Sequence, residues 1–542
     1  MSTLTPDETR QRLEAILAAV QAQDIVRAQW LAREALDLGV QHALPLNLRA
    51  WWHESEGRYR EALADLQRAE NLAPDDVPVL NALGLAYARQ GRMADAVACF
   101  DRILALEPNF PAAHFNKGWT SEDLGELDIA RACYSRAAEL TPQAADPPAR
   151  LAALAARQGQ WGEARAQAEH ALTLQPNQPL AVIALAEADI AARDYMTAEQ
   201  HLSALLALPE LSPPDRARAD GALADLLDAQ GRTVDAFAAY ERRNANLLHQ
   251  QRARFTGPGV ETMPQYLRWL SGAFERLPPM LRGATAPSPA NAHVFILGFA
   301  RSGTTLLEEA LARDPSVVTT QERDAMTDSV REFIVSPEGL RRLPTASDAV
   351  LADWRAAYWR RITEMGLDPH GKTVIDKQPF NTYRLPLIAR LFPDAKIVFS
   401  IRDPRDVVLS CFRREFRMNP STFEFLTLEG TARLYDATMR IADLFRERLP
   451  LDLHQYRHED LVADFDTRMR AICNFIGLPI SEAMRNFANA SGRRAVATPS
   501  SAQLRRGLTD AGIGQWRAYR CQLTPVLPLL EPWVARFGYP AE

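Results

Sequence analysis

The sequence predicts an α + α/β chain: an N-terminal α-solenoid over residues 1–250, a linker over 251–292, and an α/β domain with a mostly parallel sheet over 293–542. Three observations carry this expectation. Prolines recur every 34 residues through the first half, at Pro74, Pro108, Pro142 and Pro176. Short β-branched runs alternate with amphipathic stretches through the second half, the pattern of parallel βαβ units. Between the two, TGPGVETMPQ and RLPPMLRGATAPSPANAH break any periodicity.

The 34-residue step is not confined to proline. Gly57, Gly91, Gly125 and Gly159 open GRYREALADLQRA, GRMADAVACFDRI, GELDIARACYSRA and GQWGEARAQAEHA. Ala28, Ala62, Ala96, Ala130, Ala164 and Ala198 keep the same spacing, and Ala50, Gly84, Gly118, Ala152 and Ala186 form a second small-residue series. An ordinary helical bundle has no reason to hold several series to one period. Each unit reads as two short helices: small residues let them approach, glycine turns the corner and proline ends the unit. Such a pair resembles the tetratricopeptide repeat, with about six pairs from residue 24 to 250, the late one, GRTVDAFAAYERR, displaced by a four-residue insertion near LSPPDRAR. The resemblance implies a superhelix whose concave face holds a peptide segment, so a protein or peptide is the expected partner of the array.

The linker carries one candidate short helix around QYLRWLSGAFERL. Beyond it, VFIL (294–297), TVI (373–375), KIVFSI (396–401) and LDLHQY (451–456) are the expected strands. A chain of 542 residues is long enough for at least two cores. Its net charge of −6 argues against a nucleic-acid surface. From Ala290 onward there are 34 basic against 31 acidic residues, and before it 28 against 37. No run approaches the roughly 18 to 20 uninterrupted apolar residues of a membrane span. MSTLTPDETRQRLEA lacks the basic and apolar regions of a secretory signal, so a cytoplasmic location is expected. Cys99, Cys133, Cys411, Cys473 and Cys521 are scattered without metal-ligand spacing and read as reduced thiols. Only Lys117, Lys372, Lys377 and Lys396 are lysines, so a lysine is an unusual choice in this chain.

The stretch HVFILGFARSGTTLLEEAL runs an apolar strand into a glycine-bounded loop and an amphipathic helix, the layout of a phosphate-binding loop. Gly298 and Gly303 take the glycine places and Thr305 the hydroxyl place, but Thr304 stands where the lysine belongs. Ser302, Thr304 and Thr305 add hydroxyls, and Arg301 supplies the missing charge. A ligand-free turn would accept the glycines but does not ask for R-S-G-T-T. In KIVFSIRDPRDVVLSCF, Arg402 ends a strand at the edge where open α/β sheets bind ligands; Asp403 caps the next helix, Pro404 opens it, and Ser410 lies two turns along. Arg402 and Ser410 are expected to meet at a second phosphate, although a structural Arg–Asp pair would also fit. Lys377 follows the TVI strand, and Glu322 follows VVTT; each alone would pass for a surface residue.

Taken together, FARSGTTLLEEALARDPSV, Glu322, DKQPF and KIVFSIRDPRDVVLSCF resemble the cytosolic and Golgi sulfotransferase superfamily, most closely the tyrosylprotein sulfotransferases. The resemblance covers about 250 residues and implies a P-loop-like α/β fold using 3′-phosphoadenosine 5′-phosphosulfate without a metal. It implies that Arg301, Ser302, Gly303, Thr304 and Thr305 hold the phosphosulfate side of the donor, and that Arg402 and Ser410 hold the 3′-phosphate. Glu322, 21 residues after Arg301, takes the general-base place. Lys377 matches the transition-state lysine, with Arg301 beside it in that role, and Ser501 in SAQLRRGLTDAGIGQW matches a donor-contacting serine. The implied acceptor is a protein tyrosine, delivered by the repeats.

Three residues depart from the family pattern. Gln515 replaces a lysine before Trp516, His458 replaces a tyrosine in HEDLV, and Asp324 replaces an arginine two places after the base. The last departure weakens the inference to tyrosine and leaves a glycan, lipid or small alcohol open as acceptor. Other classes compete. A P-loop kinase or hydrolase is disfavoured by Thr304, and a repeat scaffold with an inactive nucleotide-binding domain would need a broken catalytic set.

Overall fold

A computed structural model describes residues 4–280, 282–283, 285–488 and 510–541. It divides into two compact units, Met1–His201 and Leu202–Glu542. The first is built of helices and short turns in its described residues, beginning with Pro6–Gln21 paired to Ile25–Asp37, one helix earlier than the sequence repeat, whose small-residue series opens at Ala28. Among the described residues fourteen helices precede residue 257, which makes seven pairs against the expected six or so.

The repeat series have distinct physical causes. Ala28, Ala62, Ala96, Ala130, Ala164 and Ala198 are buried where paired helices meet. Gly57, Gly91, Gly125 and Gly159 have φ of +72°, +76°, +83° and +69°, the left-handed turn that ends the first helix of each pair. In the second series a Cβ on Gly84 would lie 2.7 Å from the Phe100 ring, and one on Gly118 would lie 2.8 Å from the Tyr134 ring. Glycine there makes room for the aromatic ring of the partner helix.

The last two repeat helices, Pro213–Ala229 and Thr233–Thr256, belong to the second unit, so the compact boundary falls at 201/202 and not at the expected 250. Side-chain chemistry explains the displacement. Arg243 donates to the carbonyls of Phe412 and Arg413 at 2.8 and 3.0 Å, and Asn244 donates to Phe412 at 2.9 Å. Asp228 pairs with buried Arg413 and accepts from the Tyr519 hydroxyl, while Phe237 stacks on Phe412 at 5.2 Å. Within the linker, the expected short helix is Met263–Glu275, with Leu267, Leu270 and Phe274 buried.

The sheet has the strand order β2-β3-β1-β4-β5, with β1 Ala292–Gly298, β2 Val317–Thr319, β3 Thr373–Lys377, β4 Lys396–Ile401 and β5 Asp452–Arg457. Every pairing is parallel, and registers such as Ile296↔Lys377 and Gly298↔Ser400 bring the carboxyl ends to one edge. Alternation along β1 serves two helical layers. Val294 and Ile296 join a cluster with Leu307 and Ile472, whereas Phe295 and Leu297 join the larger cluster with Leu387, Val407 and Leu434. Strand order departs from β1 in both directions, which opens a crevice at its carboxyl end.

Candidate functional site

Close packing shapes the loop after β1. A Cβ on Gly298 would lie 2.6 Å from the Ser400 carbonyl oxygen, so only glycine lets the loop leave the sheet here. The loop's carbonyls are then taken by the scaffold. Gly298 accepts from Thr382 Oγ1 at 2.8 Å, Arg301 from Arg402 Nη1 at 2.9 Å and Ser302 from Ser400 Oγ at 2.7 Å. The helix Thr304–Leu311 starts at Gly303, φ +95°, with no side-chain cap among the described residues. Its positive end is therefore open to an anion. A Cβ at Gly303 would run into the His458 imidazole, so the turn also depends on that neighbour.

Arg301 occupies the left-handed region at φ +67° and donates from Nε to Ser410 Oγ at 2.9 Å. Burial opposes its charge first, and the guanidinium groups of Arg414 and Arg402 add to this. A guanidinium stays charged in proteins, so the strain is one an incoming anion relieves. Arg402 is 7% exposed; it donates to Arg301 and Gly512 carbonyls, and its Nε has no partner among the described residues. Arg402 and Ser410 thus meet through Arg301 rather than directly. The helix Pro404–Arg413 that carries Ser410 has the expected start, with Asp403 accepting from the Arg405 N–H and Pro404 in the first turn.

At the other side of β1, Lys377 is 0% exposed and forms ion pairs with Glu322 and with Glu308, the latter at 3.2 Å. Burial works against the ammonium, but the two carboxylates outweigh it and hold Lys377 above the usual lysine range. Burial pushes the Glu308 carboxyl up, against the pull of Lys377. Glu322 has φ +67° and Gln321 +53°, a strained turn fixed by the Glu322 N–H donating to the Lys377 carbonyl at 3.1 Å. Residues expected from separate motifs, Glu322 and Lys377, are in direct contact.

The departures also find places. Asp324 accepts a two-pronged bond from Arg384, both distances 2.9 Å, and accepts from the Met326 N–H at 2.8 Å. His458 is half-buried, its ring set against Gly303 of the loop; desolvation, with Arg402 and Arg301 behind it, pushes its imidazole down to about 3. Gln515 accepts from Arg413 Nη1 at 3.2 Å and donates to the Ala511 carbonyl at 2.6 Å. Ser501 lies outside the described residues.

Two contributors escaped the motifs. Glu308 falls in a stretch whose pattern predicts an amphipathic helix, yet every residue of Thr304–Leu311 is buried. Two adjacent glutamates in so short a helix, packed between sheet and neighbouring helices, were the available signal. Asp406 accepts from the N–H groups of Gly514 and Trp516 at 2.6 and 2.8 Å and so ties the closing segment to the Ser410 helix. Nothing in R-D-P-R-D distinguishes that aspartate from a solvated one.

Comparisons with known proteins agree with this layout. Residues 293–482 match the model described as the sulfotransferase family, and residues 55–91, 81–145 and 183–246 match tetratricopeptide-repeat models. The chain is 25% identical over 255 residues to an uncharacterized protein of Aquifex aeolicus, covering 45% of this chain and 33% of that protein. It is 24% identical over 263 residues to protein-tyrosine sulfotransferase 1 of Danio rerio, covering 45% of this chain and 72% of that protein. It is 30% identical over 114 residues to omega-hydroxy-beta-dihydromenaquinone-9 sulfotransferase Stf3 of Mycobacterium tuberculosis, covering 20% of this chain and 29% of that protein. The chain therefore spans a third or less of the Aquifex and mycobacterial relatives.

Proposed function

We propose that this chain, which carries a sulfotransferase-family domain behind tetratricopeptide repeats, moves a sulfuryl group from 3′-phosphoadenosine 5′-phosphosulfate to an acceptor hydroxyl, that of a protein tyrosine. The observation that carries the reading is the contact of Lys377 with Glu322 at the carboxyl end of β3, the strand beside the one that feeds the uncapped loop. A base and a cation at one edge, next to an anion-binding helix start, suit in-line transfer in which positioning and charge stabilisation dominate.

In this mechanism Glu322 takes the proton from the acceptor hydroxyl as its oxygen attacks sulfur. The bond from sulfur to the phosphate oxygen breaks, and its electron pair leaves with adenosine 3′,5′-bisphosphate. Lys377 and Arg301 stabilise the charge that grows on the departing oxygen. Arg301 to Thr305 receive the phosphosulfate side of the donor, and Arg402 and Ser410 receive the 3′-phosphate. The donor itself brings the activated sulfuryl group. The repeat array is assigned the task of holding the acceptor peptide.

A second acceptor class is favoured by one observation: Asp324, locked to Arg384, places a neutralised pair where the resemblance to the tyrosylprotein enzymes leads one to expect an arginine. An alcohol such as the one implied by the name of the mycobacterial relative would not need that cation. Incubating the chain with sulfur-labelled donor and cell lysate separates the two. Label on tyrosine in protein supports the first reading, label in an extractable lipid or small alcohol supports the second, and transfer to neither overturns both.

A further inference from the structure

We infer that Glu308 is a positioning residue of this reaction: its carboxylate fixes the Lys377 ammonium and keeps it paired while Glu322 takes the acceptor's proton. The inference rests on the sulfuryl-transfer reading above. Glu308 is 1% exposed, and its Oε2 lies 3.2 Å from Lys377 Nζ. Its Oε1 accepts the backbone N–H of Gln321 at 3.2 Å. Gln321 immediately precedes Glu322, and both have positive φ. One buried carboxylate therefore holds the lysine and the strained turn that aims the base.

The charge arithmetic explains why a second carboxylate is useful. A fully buried ammonium requires a counterion at every stage of the reaction. With Glu322 as the only partner, each proton it accepted would leave Lys377 buried and uncompensated, so Glu322 would resist protonation. With Glu308 present, Lys377 and Glu308 remain a neutral pair whichever state Glu322 is in. Glu308 itself neither gains nor loses a proton: the proton goes from acceptor hydroxyl to Glu322 and the leaving electron pair goes to the nucleotide.

Other charged groups act on this cluster from known directions. Glu309 on the same helix and Glu322 oppose the Glu308 charge, Lys377 on β3 supports it, and Arg301 interacts with Glu322 from the loop. The short helix Glu482–Arg485, packed on the other side, contributes Met484 to the apolar cluster of Leu306, Leu307 and Ala310.

The test compares the full-length wild type with Glu308→Gln and Glu308→Asp, measuring kcat and the pH dependence of kcat/KM with labelled donor. For Glu308→Gln, kcat is expected to fall about 10- to 100-fold, the scale of losing a supporting partner behind a reactive group. The acidic limb of its profile should move to lower pH, because removing a neighbouring negative charge leaves Lys377 freer to stabilise the Glu322 anion. Affinity for adenosine 3′,5′-bisphosphate should stay at the wild-type value, and Glu308→Asp should recover part of kcat and part of the limb's position. An acidic limb that stays put in an active, folded Glu308→Gln overturns the inference. If Glu308→Gln fails to fold, the limb of Glu308→Asp decides: displaced downward it supports the role, unmoved it overturns it. An inactive wild type would instead overturn the functional reading on which the role depends.

Discussion

Arg402 donates from Nη1 to the carbonyl oxygen of Arg301 at 2.9 Å, and Arg301 donates from Nε to Ser410 Oγ at the same distance. Two like charges are thereby held in one buried corner, where burial and the neighbouring guanidinium groups oppose the charge on Arg301. Arg402→Ala is expected to weaken adenosine 3′,5′-bisphosphate binding about 10- to 100-fold, the range of a lost hydrogen bond to a charged group. Isothermal titration calorimetry reads this, and an unchanged Kd would remove Arg402 from the nucleotide site.

Glu322 and Lys377 should separate from Arg402 in the same assay. Glu322→Ala is expected to lower transfer by about 10² to 10⁴, the usual contribution of a general base, with nucleotide affinity retained. Lys377→Ala should also abolish measurable transfer. Wild-type turnover in Glu322→Ala would exclude it as the base.

Gly303→Ala should damage the loop twice over. The residue has φ +95°, which costs an L side chain about 1–2 kcal/mol, and the added Cβ meets the His458 imidazole. Combining Gly303→Ala with His458→Ala should recover only the second loss. Urea unfolding of the single and double variants measures the two parts, and equal midpoints would show that the imidazole is not the obstacle.

The repeat helices 213–256 should prove inseparable from the second unit. Asp228→Ala leaves Arg413, 5% exposed, without its ion-pair partner and should lower stability by about 2 kcal/mol, a buried-pair cost discounted because Asp228 is partly exposed. A fragment starting at residue 251 is expected not to fold, and one starting at Leu202 to fold cooperatively. Circular dichroism melts of the two fragments decide it; cooperative melting of the shorter one would show that the helix pair is dispensable.

Stability should depend on pH through Asp376, which accepts from the Tyr358 hydroxyl at 3.0 Å and from Asn381 Nδ2 at 3.1 Å. Burial pushes its carboxyl up to about 7. Against an unfolded value of about 3.9, folding favours the protonated form, so this contribution is complete below about pH 4 and is lost as pH rises through about 7. His293, on the same Tyr358 hydroxyl, is pushed by burial down to about 3 and runs the other way. Its contribution is present above about pH 6.5 and is lost on acidification. The comparison of wild type with Asp376→Asn isolates the carboxyl: the variant should gain on the wild type between pH 5 and 8 in urea midpoints. A pH-independent difference would mean Asp376 does not titrate there.

Periodicity made most of the fold legible. All four expected strands are present, and the repeat series map onto buried helix contacts and left-handed turns, because spacing reports packing directly. The domain boundary was not legible, since Asp228, Arg243 and Asn244 look like any repeat surface until Phe412 and Arg413 are seen against them. At the site, motif order named Arg301, Glu322, Lys377 and Arg402, but their mutual contacts depend on strand register, which a linear sequence does not display. The role of Glu308 is hidden for the same reason: a glutamate's burial is set by what the sheet places opposite it.

The strand order β2-β3-β1-β4-β5 hangs Glu322 and Lys377 on one side of β1, and Arg402 and His458 on the other. In the proposed reaction the base is thus carried by the β2–β3 half, and the arginine assigned to the 3′-phosphate by the β4–β5 half. Asp324 and its partner Arg384 both follow strands of the β2–β3 half, so a change of charge there leaves Arg402 and His458 in place. Under the proposed assignment, a new acceptor would ask for changes around Glu322 and Asp324 and none at the arginine that holds the nucleotide.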